Sequence, residues 1–143
     1  MDSMANNGSK SSRVDAEVEL RFLEAVVRRV PEDYESLKAL AELYTQVGRH
    51  EEGLAIDLKM TRIEPLCPLA WYNYGCSLAL VGRHDESVEA LAKAVELGYD
   101  DYDWMKRDED LNSLHGDPRF ESLLSWIYAG DAEDFSDDSD LPF

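Results

Sequence analysis

Basic residues are scarce in this chain: 14 lysines and arginines stand against 31 acids in 143 residues, a formal net charge of −17. Holding a nucleic acid through its phosphates takes a Lys/Arg footprint, and no basic stretch supplies one, so a nucleic-acid partner is not expected. Cysteine is rarer still. Cys67 and Cys76 make neither a CxxC pair nor a disulfide framework, and both are expected as free thiols of a reducing compartment. Long apolar runs are also missing. The opening MDSMANNGSKSSR has no apolar core, so it reads as neither secretory signal nor anchor. The uncharged stretch from Leu66 to Gly82 falls short of the ~20 residues of a spanning helix and contains Pro68, Asn73 and Gly75, which fits a buried helix better. The expectation is a cytoplasmic protein with no membrane partner.

Catalytic signatures are absent as well. There is no HExxH, no phosphate-cradling Gly loop and no zinc-type Cys spacing. With 31 carboxylates, close Asp/Glu pairs arise by chance, and none comes with a partner that splits their pKa values. RDEDLNSLHGDPR reads as helix termini with N-caps and dipole-matched acids. His50 and His84 occupy equivalent turns, and His115 stands alone before Gly116, so all three read as structural. No catalytic residue, cofactor or metal is expected, and the chain reads as a non-enzyme.

What the sequence does contain is itself, twice. VGRHEEGL, from Val47, returns as VGRHDESV, from Val81, 34 residues on. The same offset aligns Leu37 with Trp71, Leu40 with Tyr74, Ala41 with Gly75, Lys59 with Lys93 and Ile63 with Leu97, and it separates Pro31 from Pro65. A period in this range marks an array of small stacked units. YESLKALAELYTQV places Leu37, Leu40, Ala41 and Tyr44 on one helical face. Gly48 then permits the left-handed conformation that closes a helix. HEEGLAIDLKMTRI restarts with acids at the positive end of a helix dipole. LAWYNYGCSLALV, Gly82 and HDESVEALAKAVEL repeat the plan, so each period predicts helix, tight turn, helix. Upstream, VDAEVELRFLEAVVRRVP carries Val18, Phe22, Val26 and Val30 and predicts a single helix. Downstream, DDYDWMKRDEDLNSLHGDPRFESLLSWI keeps helix-turn-helix character, with Asp117 as N-cap, Pro118 in the first turn, and Phe120, Leu123, Leu124 and Ile127 as its apolar face.

On LKALAELYTQVGRHEEGL, MTRIEP and WYNYGCSLALVGRHDESVEALAKAVELGY the chain resembles the tetratricopeptide repeat family, over roughly residues 14 to 128, and its closing unit resembles the divergent one of small bacterial members. Asp57, Gly53 and Tyr99 depart from the family pattern. The resemblance implies an all-α, right-handed solenoid of helix-turn-helix repeats. It divides into a disordered tail 1–13, a helix 14–30, repeats at 31–65 and 66–99, a degenerate capping repeat 100–128 and an acidic disordered tail 129–143. The last of these, ending GDAEDFSDDSDLPF, has no basic residue and little to bury.

The resemblance also implies a concave surface lined by first helices. That face carries Glu35, Lys38 and Glu42 in the first repeat, Leu69, Tyr72, Asn73 and Cys76 in the second, and Asp103, Lys106, Arg107 and Asp110 in the third. An aromatic centre with a charged rim suits a peptide or protein partner, a basic one given the net charge; for Tyr72 plain burial stays open beside the groove. Lys38, Asn73 and Arg107 fall where the family's carboxylate clamp has donors, yet Glu42 and Asp103 oppose a carboxylate. The function expected is non-covalent partner binding as adaptor or assembly factor, with a secretion-chaperone-like holder of a partly unfolded client as the alternative. A monomer is expected, a dimer being the other case.

Overall fold

The computed structural model describes residues 2–132, with side chains from 13 to 130, and divides between Ile63 and Glu64 into two compact units. All regular structure among the described residues is helical. The first unit holds α1 (Asp2–Arg29), α2 (Tyr34–Gln46) and α3 (His50–Ile63). The second holds α4 (Pro68–Leu80), α5 (His84–Glu96), α6 (Tyr102–Arg107), a 3₁₀ helix (Glu109–Leu114) and α7 (Pro118–Ala132). α1 starts at Asp2 and not at residue 14, so the expected N-terminal tail has helical backbone. α7 continues to Ala132, and residues 133–143 of the expected acidic tail lie outside the described residues.

The 34-residue spacing governs where helices start. α2, α4 and α6 begin at Tyr34, Pro68 and Tyr102; α3, α5 and α7 begin at His50, His84 and Pro118; each start lies 34 positions after the one before. Between the members of each pair stand Gly48, Gly82 and Gly116, with φ of +81°, +84° and +94°. At the first two turns the closure is the same. Gly48 N–H donates to Thr45 O and Arg49 N–H to Tyr44 O at 2.8 Å, and Gly82 N–H donates to Ala79 O and Arg83 N–H to Leu78 O at 2.9 Å. This is the Schellman arrangement, which satisfies helix-end carbonyls and needs a residue tolerant of positive φ. Each following arginine then pairs with a glutamate three residues on, Arg49 with Glu52 and Arg83 with Glu86.

In the first unit, α2 packs between α1 and α3. Leu20, Leu40, Leu43 and Tyr44 form one cluster, with Ala16, Leu23 and Val27 of α1 against it. Leu37, Ala41 and Met60 form a second. Tyr44 hydroxyl donates to Glu24 Oε2 at 2.6 Å, tying α2 to α1. The face of α1 that packs is therefore not the row of Val18, Phe22, Val26 and Val30 legible in the sequence, of which Val18, Phe22 and Val30 are exposed and Val26 is half-buried. α1 has two apolar stripes, and α2 takes the other one.

In the second unit, α4 packs on α5 and on the 3₁₀ helix, while α7 packs on α5 and α6. The α4–α5 contact is close because Gly75 has no side chain: a Cβ there would lie 2.8 Å from Leu91 Cγ and Cδ2. Ser87 hydroxyl donates to Gly75 O at 2.7 Å across the same contact. Asp117 caps α7 by accepting from Arg119 N–H at 2.9 Å, as its place before Pro118 predicts.

Candidate functional site

α4 carries the residues expected at the centre of a binding face, and the structure turns two of them inward. Tyr72 and Cys76, one helical turn apart, are only 2% and 6% exposed. Tyr72 stacks on Tyr99 with ring centroids 4.2 Å apart and planes 4° from parallel. Its hydroxyl donates to Asp108 Oδ2 at 2.6 Å, and Cys76 Sγ approaches the same oxygen at 3.6 Å. Cys76 is thus corrected from groove lining to interior, and of the two readings open for Tyr72 the structure has burial.

The cause is a break after Arg107. Asp108, with φ −62° and ψ 116°, ends α6 and caps the 3₁₀ helix, its Oδ1 accepting from Asp110 N–H at 3.0 Å. The chain beyond it lies against α4, with Leu111 and Leu114 buried in the same core as Tyr72. Burial first, then the neighbouring Cys76 and the Asp108 bond and charge, push the Tyr72 phenol far up, so it stays a donor. Burial, then the Asp108 and Asp110 charges, push the Cys76 thiol up as well. Cys76, Asp108 and Asp110 offer ligand atoms all within 4.8 Å of one another. A cation wants a thiolate and free carboxylate oxygens. Burial favours the protonated thiol and each Asp108 oxygen already accepts a hydrogen bond, so Tyr72, Cys76 and Asp108 form a hydrogen-bonded strut joining α4 to the 3₁₀ helix.

The remaining face residues stay accessible within their own units. Glu35 and Glu42 of α2 are exposed and Lys38 is half-buried. On α4, Leu69 is exposed and Asn73 half-buried; Asp103, Lys106 and Arg107 of α6 are exposed and Asp110 half-buried. Sequence reasoning missed a hollow of about 230 Å³ between α6 and α7, lined by Tyr102, Lys106, His115, Glu121, Leu124, Ser125 and Tyr128. The Tyr102 and Tyr128 rings lie 5.2 Å apart at 53°, with Lys106 Nζ 5.6 Å from the Tyr102 centroid. The lining thus offers two rings, a cation, an imidazole and the Glu121 carboxylate. The only sequence signal was Tyr102, standing where the previous unit has Pro68.

Among the described residues no helix is long and apolar enough to cross a membrane. No protein-family model matches the chain, and no curated protein matches it.

Proposed function

We propose that the chain is a tetratricopeptide-type repeat protein that binds a protein or peptide partner without catalysis, as an adaptor or assembly factor. The recurrence of helix starts and positive-φ glycines every 34 residues carries this reading. Hairpins repeated at that period build extended surfaces, and surfaces of that kind work by shape and side-chain presentation. In the second unit the contacts are Leu69 and Asn73 on α4, and Asp103, Lys106 and Arg107 on α6 beside the Tyr102–Tyr128 hollow. Tyr72 serves underneath as support. The net charge of −17 steers basic partners toward the protein.

Affinity capture tests the reading, comparing wild type with Leu69→Asp plus Asn73→Ala and identifying partners by quantitative mass spectrometry. Loss of a specific set of partners with an unchanged helical circular-dichroism spectrum is expected. Equal recovery of every partner would move binding away from this face.

A further inference from the structure

We propose that the chain forms an antiparallel homodimer through the outward face of α1, in place of the monomer expected from the sequence. Val14, Val18, Phe22, Val26 and Val30 recur at every fourth residue along this helix and its end. Val14, Val18 and Phe22 are 61%, 62% and 66% exposed. The opposite face, with Ala16, Leu20, Leu23 and Val27, is the one that meets α2. Residues four apart form a ridge that seats in the matching groove of another helix, and this ridge runs about 24 Å at the usual helical rise. An apolar patch of that extent on a soluble protein marks a contact surface.

The order of the row says what covers it. Val, Val, Phe, Val, Val reads the same in both directions about Phe22, and a two-fold interface lays one patch on its own copy. With Phe22 on the axis, Val18 meets Val26 of the second copy, and Val14 and Val30 lie at the flanks of the contact. The charges beside the row suit the same pairing. Asp15, Glu17 and Glu19 precede Phe22 and Arg28 and Arg29 follow it, so antiparallel overlay brings Asp15 opposite Arg29. Parallel overlay would set like on like. Arg13 and Arg21 before Phe22, and Glu24 after it, depart from the pattern. Four arginines and four acids cancel between residues 13 and 30, whereas the whole chain carries −17, so two copies meet here without the repulsion that opposes contact elsewhere.

Sedimentation equilibrium of the full chain at micromolar concentration tests this, and twice the 16.2 kDa chain mass is expected. Phe22→Glu, an exposed substitution that leaves the core alone, should weaken association more than tenfold with an unchanged circular-dichroism spectrum. Orientation is read by oxidative cross-linking in a Cys67→Ser background, where Cys76 stays buried. Phe22→Cys should cross-link efficiently and Val18→Cys should not, because antiparallel pairing places the two copies of residue 18 on opposite sides of the axis. A monomeric wild type, a dimer untouched by Phe22→Glu, or equal cross-linking at both positions would each overturn the proposal.

Discussion

Tyr72 and Asp108 are 36 residues apart in the chain and 2.6 Å apart in space, hydroxyl to carboxylate, in the interior of the second unit. Removing either end leaves a buried polar group short of its partner. Tyr72→Phe is expected to cost about 1–3 kcal/mol. Asp108→Ala removes the 3₁₀ cap as well and should cost more, with Asp108→Asn between wild type and Ala because an amide oxygen still accepts. Urea unfolding of the three variants checks the ranking, and a neutral Asp108→Ala would show that the segment after Arg107 is not held this way.

Two helical glycines should respond to alanine with opposite signs. At Gly75 the new methyl meets Leu91 at 2.8 Å, so Gly75→Ala should destabilise by about 1–3 kcal/mol. At Gly53 the nearest atom to a new Cβ is Tyr44 Cβ at 3.5 Å, an ordinary contact, so Gly53→Ala should stabilise by about 0.5–1 kcal/mol through helix propensity and unfolded-chain entropy. Thermal unfolding of both variants decides this.

The period of the fold was legible because it is written in residues with few substitutes. Gly48 and Gly82 mark left-handed turns, and HEEGLAIDLKMTRI reads as a helix over the residues α3 occupies. Less legible was which face of α1 packs, since Val18 and Phe22 form as good a stripe as Leu20 and Val27; only α2 chooses between them. The break at Asp108 was harder still. Arg107-Asp108-Glu109-Asp110 reads as helix-end chemistry, but that the break would seal Tyr72 depends on a hydroxyl from another helix. The Tyr102–Tyr128 hollow likewise joins two helices that no local spacing relates.

Alkaline pH should weaken the first unit, as it should the second, where burial also pushes the Tyr72 phenol up. Burial, reinforced by the Glu24 bond and charge, pushes the Tyr44 phenol from 10.0 up to about 12. From pH 10 to about 12 the unfolded chain gives up a proton that the folded chain keeps, so stability present below pH 10 falls across this window. Thermal midpoints measured from pH 9 upward should decline, and Tyr44→Phe should decline less steeply. A wild-type midpoint rising across this range would contradict the assignment.

Residues 133–143 carry five acids and no basic residue. Removing them beyond the end of α7 should slow association with a basic partner and flatten its dependence on ionic strength, as stopped-flow binding at several salt concentrations would show. An unchanged on-rate would leave the segment a solubility tail.

Hairpins laid out every 34 residues are the central feature of the chain, and backbone chemical shifts from triple-resonance NMR address them most directly. Helical shifts starting near Tyr34, Pro68 and Tyr102 and again near His50, His84 and Pro118, with left-handed shifts at Gly48, Gly82 and Gly116 and an interruption at Asp108, are expected. Strand shifts in these segments, or helix running unbroken through any of the three glycines, would contradict that layout.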